Sequence, residues 1–169
     1  RPFKELDVLA LTELTYLPFG HIVPQGDTTG IQVRLSDAME LIDRTTDFIV
    51  SNQHLQLVDE LATSKRFKNI KLLNYVDEYD PDVQKQFAAM TYRLSLDAYL
   101  VVFRGTDDTL IGWKEDFHMT YMDHVPAQRR AASYLQHVMK EFPKGRFLVA
   151  GHSKGGNLAA YACTYLPDY

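Results

Sequence analysis

Residues 147–156 read FLVAGHSKGG, an apolar run followed by a serine between glycines. Four uninterrupted apolar residues, 147–150, are typical of a strand that is buried on both faces of a sheet. Residues 151–155 match G-x-S-x-G, and the chance of this pattern in a chain of this length is about 0.06 if each residue type has a frequency of ~7%. A helix is predicted to begin at Lys154 and to end before Pro167. The stretch therefore predicts a strand, a sharp turn at Ser153 and a helix.

This setting makes Ser153 a candidate catalytic nucleophile. A tight turn between a buried strand and a helix holds the serine hydroxyl out at the carboxyl end of the sheet. Side chains at positions 151 and 155 would collide with the adjoining strand and helix, which explains the two glycines. The first N–H groups of the helix and its dipole favour negative charge here, and the N–H of Lys154 can donate to a developing oxyanion. The alternative is a serine that only caps the helix.

The segments upstream of this turn predict a sheet with both antiparallel and parallel strands. Three strand candidates precede the turn, over residues 70–79, 86–94 and 98–103, and they indicate an antiparallel meander. The acidic residues within 77–82 are predicted to lie in a solvated turn. Pro126 suits the first turn of a helix whose apolar stripe ends at Pro143. The order strand, helix, strand then predicts a right-handed parallel crossover.

The N-terminal part of the chain is predicted to be helical. An apolar stripe indicates a first helix that ends before Pro18, and its members are Leu6, Leu9, Ala10, Leu14 and Leu17. Ser36 is predicted to cap a second helix that reaches about Arg44, and a third helix is predicted over residues 54–64. The length of 169 residues suits one domain, and no linker divides the chain. We therefore expect one domain, with a helical region over 1–66 and the sheet and serine turn over 67–169.

A second motif follows the strand candidate 98–103, where the sequence continues as Arg104-Gly105-Thr106. Arg104 is expected to pair with a carboxylate and so to pin the loop. Asp107 or Asp108 can cap the next helix, and Trp113 can be a core residue. Nothing in these residue types alone assigns them a chemical role.

Together the two motifs resemble the class 3 lipase family, in which F-R-G-[ST] ends a strand and G-H-S-x-G-G follows later in the chain. The resemblance implies that Thr106 supplies a backbone N–H and a hydroxyl to the oxyanion hole, beside the N–H of Lys154. It also implies that residues 109–117 form a lid or its hinge.

Two longer strings look more specifically like the bacterial Mbeg1-like proteins. They are FRGTDDTLIGWKEDF at residues 103–117 and E-L-D-x-L-x-L-T-E-L-T-Y-L at residues 5–17. This resemblance covers most of the chain and implies an α/β fold. The chain would be the N-terminal portion of an α/β-hydrolase, in which an antiparallel meander leads into parallel βαβ units with a nucleophile elbow. The implied activity is that of a serine hydrolase on a small acyl-ester or lipid substrate, and no particular substrate is indicated.

Two members of the catalytic triad are not found where an α/β-hydrolase has them. The order in that fold is Ser, then Asp or Glu, then His. After Ser153 the chain holds one carboxylate, Asp168, and no histidine. The Asp and His are therefore expected beyond residue 169, and these residues alone are expected to be inactive. The strand 147–150 would also lack parallel neighbours, so the chain is expected to be truncated and its C-terminal half is an expected partner.

The upstream histidines offer few alternatives for the general base. His118 and His124 follow the lid-like residues and are the two that could approach the serine. The ring of His152 is expected to point away from Ser153, and His137 is expected to be solvated. If no base exists, the alternative function is a hydrolase-like scaffold that binds a ligand or partner.

The composition limits the remaining function classes. A net charge of −4 offers no basic surface for nucleic acid. A lone cysteine, Cys163, excludes an internal disulfide and favours a cytoplasmic location. The longest apolar run, residues 98–103, is too short to span a membrane, and contact with one is left open. No cofactor is expected, and the scattered histidines lack the spacing of a metal site.

Overall fold

The computed structural model describes residues 3–25, 30–44, 52–82, 85–106, 114, 117, 119 and 123–166. Its elements are α1 (Glu5–Leu14), β1 (Val33–Arg34), α2 (Leu35–Leu41), α3 (Asn52–Thr63), β2 (Lys71–Asp80), β3 (Lys85–Arg93), β4 (Ala98–Phe103), α4 (Pro126–Glu141), β5 (Arg146–Gly151) and α5 (Lys154–Thr164). Five residues with roles suggested by the sequence lie outside this range, namely Asp107, Asp108, Trp113, His118 and Asp168. Most of the lid-like stretch 109–117 does so too.

The five strands form one mixed sheet in the order β1-β2-β3-β4-β5. The first four strands pair with one another in antiparallel orientation, and β5 pairs with β4 in parallel. The predicted meander and the predicted parallel pairing are therefore confirmed. Phe103 and Gly151 face each other at the carboxyl ends of β4 and β5. This register brings the two sequence motifs to the same edge of the sheet.

β4 shows how the sheet separates two hydrophobic cores. Leu100 and Val102 belong to the core formed with the N-terminal helices. Val101 and Phe103 belong to the core formed with α4 and α5. Successive side chains of a strand point to opposite faces, so an unbroken apolar run is what a strand covered on both sides requires. The sheet is thus the middle of three layers.

The N-terminal region differs from its prediction in three places. Leu14 and Leu17 of the predicted stripe are buried, but Leu6 is 78% exposed and Leu9 is also exposed, and Leu11 is buried in their place. In a leucine-rich helix two overlapping stripes fit the helical period, and only the neighbouring elements select one of them. Ser36 does not cap α2, which begins one residue earlier, and its hydroxyl donates to Asp37 instead. The two-residue strand β1 was not predicted, because two residues carry no period.

β5 also departs from the prediction of a strand buried on both faces. Leu148 is 49% exposed, and the other residues of the strand are only partly buried or exposed. Among the described residues β5 is the last strand of the sheet, with β4 as its neighbour. An apolar run therefore indicates a strand here without fixing how far its faces are covered.

Candidate active site

Ser153 stands where β5 turns into α5. Its backbone has φ 56° and ψ −125°, a region that residues other than glycine rarely adopt. The residue is exposed, and its side chain makes no capping hydrogen bond to α5. The alternative of a helix-capping serine is therefore wrong. The sharp turn holds the hydroxyl at the N-terminus of a helix, where the helix dipole favours an anion.

Two glycines make this turn sterically feasible. A β-carbon on Gly151 would collide with the backbone of Gly155, and one on Gly155 would collide with the carbonyl of Phe103. The first turn of α5 is closed by the N–H of Gly155, which donates to the His152 carbonyl at 2.9 Å. The start of α5 therefore lies directly against the ends of both parallel strands.

Arg104 anchors the end of β4, as the sequence predicted. Its guanidinium forms two hydrogen bonds to the carboxylate of Asp77, at 2.8 and 3.0 Å, and its side chain is only 8% exposed. The hydroxyl of Tyr75 donates to the same carboxylate at 3.0 Å, and burial raises the pKa of this tyrosine. The prediction of a solvated turn was wrong for Asp77, because β2 continues through Asp80.

Gly105 brings the end of β4 to the serine turn. A β-carbon on Gly105 would lie 3.4 Å from the β-carbon of Ser153 and nearer still to the carbonyl of His152. Thr106 follows directly and is partly exposed. The structure therefore brings together the two motifs that lie about fifty residues apart in sequence and that the sequence analysis paired by resemblance alone.

Tyr16 is a site residue that the sequence did not reveal. Its hydroxyl accepts a hydrogen bond from the N–H of Gly105 at 3.2 Å and lies 3.1 Å from Nδ1 of His152. Tyr16 belongs to the N-terminal string at residues 5–17, which was the only available signal. Its separation of 89 residues from Gly105 leaves no trace in any local pattern.

Lys154 contributes a buried side chain in addition to its backbone N–H. The residue is 5% exposed, and its ammonium donates to the carbonyl of Gln86 at 2.9 Å. This bond ties the first residue of α5 to the start of β3. The backbone N–H of Lys154 lies at the helix N-terminus, where the sequence predicted an oxyanion donor.

Several of the described histidines have partners other than the serine. Nδ1 of His124 lies 3.1 Å from the hydroxyl of Tyr161, which is eight residues after Ser153 and so about 12 Å along α5. His124 therefore has a partner on α5 about two turns from Ser153. The side chain of His137 is 31% exposed and lies 3.8 Å from a carboxylate of α4, so it is only partly solvated.

The sequence model of the Mbeg1-like family matches residues 61–168. The chain belongs to the Mbeg1-like family. The matched segment contains the strand end at 104–106 together with Ser153 and Lys154, whereas Tyr16 precedes it. No curated protein and no solved structure matches the chain.

This Mbeg1-like chain has an apolar groove beside the serine turn. The groove has a volume of about 430 Å³ and runs between α1 and β5. Its lining includes Val8, Leu9, Leu148, Ala150 and His152.

Within the part of the chain that the structure describes, no helix is long and apolar enough to cross a membrane.

Proposed function

We propose that this Mbeg1-like protein is a serine hydrolase that acts on lipid-like carboxylic esters. The observation that carries the proposal is the conformation of Ser153, an exposed serine with φ 56° at a helix N-terminus. The end of β4 supports it, because Gly105 lies against the β-carbon of Ser153. In this proposal the turn is a nucleophile elbow, and the 169 residues are the N-terminal portion of a single α/β-hydrolase domain related to class 3 lipases.

The chemistry follows from the roles of these groups. The hydroxyl oxygen of Ser153 attacks the ester carbonyl carbon while its proton passes to a histidine base. The carbonyl oxygen becomes an oxyanion, which accepts hydrogen bonds from the backbone N–H groups of Thr106 and Lys154. Collapse of this intermediate releases the alcohol, which takes up the proton, and water then hydrolyses the acyl-serine. Loss of one oxyanion donor typically lowers kcat by about 10² to 10³.

Three further features belong to the proposal. The histidine base and the aspartate that orients it are expected beyond residue 169. The resemblance to class 3 lipases favours a lipid-like acyl group. The lone thiol of Cys163 supports a cytoplasmic location.

A fluorophosphonate probe tests the assignment of the nucleophile. The full-length wild-type protein should be labelled on the peptide that contains Ser153, as measured by mass spectrometry. Ser153→Ala should abolish both the labelling and the hydrolysis of p-nitrophenyl esters. Ser133→Ala is the matched control, because Ser133 is an exposed serine on α4 whose hydroxyl donates to the carbonyl of Arg130.

Labelling that persists in Ser153→Ala would show that another residue is the nucleophile. A series of p-nitrophenyl esters from acetyl to dodecanoyl tests the substrate class. We expect kcat/KM to rise with chain length, and a maximum at acetyl would contradict a lipid-like substrate.

A hydrolase-like scaffold that binds a ligand or partner is the second candidate function. It is favoured by the described histidines, since His54, His124 and His152 each hydrogen-bond a residue other than Ser153. The same probe separates the two candidates. A folded full-length protein that resists labelling and hydrolyses no ester of the series would support the scaffold.

A further inference from the structure

The hydroxyl of Tyr16 stands between two backbone segments of the candidate active site. It accepts a hydrogen bond from the N–H of Gly105 and lies within hydrogen-bond distance of Nδ1 of His152. Gly105 immediately precedes Thr106, and His152 immediately precedes Ser153. One side chain from the N-terminal region therefore contacts both the residue before the proposed oxyanion donor Thr106 and the residue before the proposed nucleophile Ser153.

The hydrogen bonds along the end of β4 show which partner this hydroxyl provides. The N–H of Arg104 still donates to a neighbouring strand, to the carbonyl of Ala88 at 2.9 Å. The next N–H, that of buried Gly105, donates to Tyr16 instead. A buried N–H without an acceptor is unfavourable by about the full desolvation penalty of the group. Tyr16 thus fixes the direction of the Gly105 peptide at the point where the strand pairing ends.

His152 is a second hydrogen-bond partner of the same hydroxyl. The oxygen of Tyr16 accepts from the N–H of Gly105, and Nδ1 of His152 lies 3.1 Å from it. Because a hydroxyl can both donate and accept, it is held from two sides with either tautomer of His152. Burial raises the pKa of Tyr16, so the hydroxyl keeps its proton at neutral and mildly alkaline pH.

Packing fixes the position from which Tyr16 reaches the site. The neighbouring residues Leu14, Thr15 and Leu17 are all buried. The hydroxyl of Thr15 also donates to the carbonyl of Thr12, at 2.6 Å, where α1 ends. Because the residues on both sides of Tyr16 are held in the core, the position from which its side chain extends is fixed relative to the end of β4.

We propose that Tyr16 is a positioning residue of the oxyanion hole, whose hydroxyl holds the Gly105 peptide so that the N–H of Thr106 faces the oxyanion formed at Ser153. The inference rests on the proposed function. It adds to the active site a residue from the N-terminal segment, which precedes the part of the chain matched by the family.

Tyr16→Phe in the full-length protein tests this role, because it keeps the ring and removes only the hydroxyl. Tyr161→Phe is a matched control: its hydroxyl also lies 3.1 Å from a histidine Nδ1, that of His124, but two turns along α5 from the serine. We expect Tyr16→Phe to lower kcat for ester hydrolysis about 10-fold or more and to change KM less than about twofold. An oxyanion hole acts on the transition state, which is why kcat should carry the effect. The control should stay within about twofold of wild type in both constants.

A second variant does not depend on the stability of Tyr16→Phe, and an NMR measurement adds to the kinetics of Tyr16→Phe itself. His152→Leu alters an exposed residue and removes the second hydrogen-bond partner of the Tyr16 hydroxyl. It should lower kcat in the same direction but by a smaller factor, because the Gly105 bond remains. The amide resonance of Gly105, followed by NMR in the free protein, should shift and exchange faster in Tyr16→Phe than in Tyr161→Phe.

The outcomes separate this inference from the proposed function. If the wild type hydrolyses esters and Tyr16→Phe has the kcat of the control, or raises KM alone, the positioning role is overturned and the nucleophile stands. An unchanged Gly105 amide in Tyr16→Phe overturns the role in the same way. A wild type that is neither labelled nor active overturns both proposals together.

Discussion

The two strand ends that meet at Ser153 are held in opposite ways. The end of β5 is held by direct backbone contacts. Because Gly151 and Gly155 lack side chains, the start of α5 touches the backbone of both strands. The end of β4 is held by polar side chains, since Arg104 is paired with Asp77 and a tyrosine accepts from the next peptide.

The difference indicates which kind of substitution should destabilise each strand end. A contact between backbones cannot accept an added atom without moving a strand or a helix. A contact between polar side chains fails in smaller steps, because water or a second partner can replace part of what is lost. The β5 end should therefore respond sharply to added volume, and the β4 end to lost charge.

Gly155→Ala should cause the largest loss of stability among the variants that test this comparison. Its β-carbon would overlap the Phe103 carbonyl, a backbone atom that no rotamer change can move aside. We expect the free energy of unfolding to fall by at least about 3 kcal/mol. Urea unfolding followed by circular dichroism measures this change.

Gly156→Ala is the control for that substitution, one residue further along the same helix. Its β-carbon would lie 3.2 Å from the Gly151 carbonyl oxygen, which is tight but relieved by a small shift. The gain in helix propensity of about 1 kcal/mol offsets that contact, so little net change is expected. Equal losses in the two variants would show that the β5 end is not held by a specific steric contact.

Arg104→Met should have a smaller effect, at the β4 end. The substitution keeps the apolar stem and removes the guanidinium, which leaves Asp77 with the hydroxyl of Tyr75 and partial access to water. We expect a loss of about 2 kcal/mol, below the range for fully buried pairs because the carboxylate is about one-third exposed. Fluorophosphonate labelling of Ser153 should slow as well, since the loop after β4 loses its anchor.

Arg146→Met is the matched control for the loss of an arginine. It breaks the ion pair with Asp97, in which the two side chains are 75% and 54% exposed, and should leave the urea midpoint close to that of wild type. If urea unfolding gives the same loss of stability for Arg104→Met and Arg146→Met, burial of the Arg104–Asp77 pair does not contribute to stability. The contrast between the strand ends would then fail.

The same contrast explains how far the sequence could be read. β4 was predicted at its observed bounds, and the turn at Ser153 was found, because apolar runs and flanking glycines are local patterns. The carboxylate partner of Arg104 could be predicted as a type, but the choice of Asp77 depends on the length and register of β2. The contact of Tyr16 with Gly105 could not be predicted, because it arises only when α1 packs on the sheet.

The smallest effect is expected at the N-terminal end of α1. Tyr16 follows the C-terminal end of this helix, so the anchoring of α1 affects the position of Tyr16. Asp7 accepts hydrogen bonds from Arg66, whose side chain holds the pKa of this carboxyl below its usual value. Because the pKa is lower in the folded state, the unfolded state takes up the proton first as pH falls. The stabilisation is therefore present above about pH 4 and is lost below it, as the pH passes through the folded pKa. Asp7→Asn should lower the free energy of unfolding by less than about 1 kcal/mol near pH 7, with the difference from wild type shrinking as pH falls below about 4.

Asp59→Asn provides the comparison for Asp7→Asn, because Arg44 also lowers the pKa of Asp59 but the pair is exposed. We expect a smaller difference from wild type at pH 7, since water screens an exposed pair more strongly. Melting temperatures measured from pH 2 to pH 7 would decide the matter. A larger effect at Asp59, or a difference at Asp7 that grows as pH falls, would show that α1 is not anchored through its carboxylate. In that case the packing of Leu14 and Leu17 alone would carry Tyr16 to the end of β4.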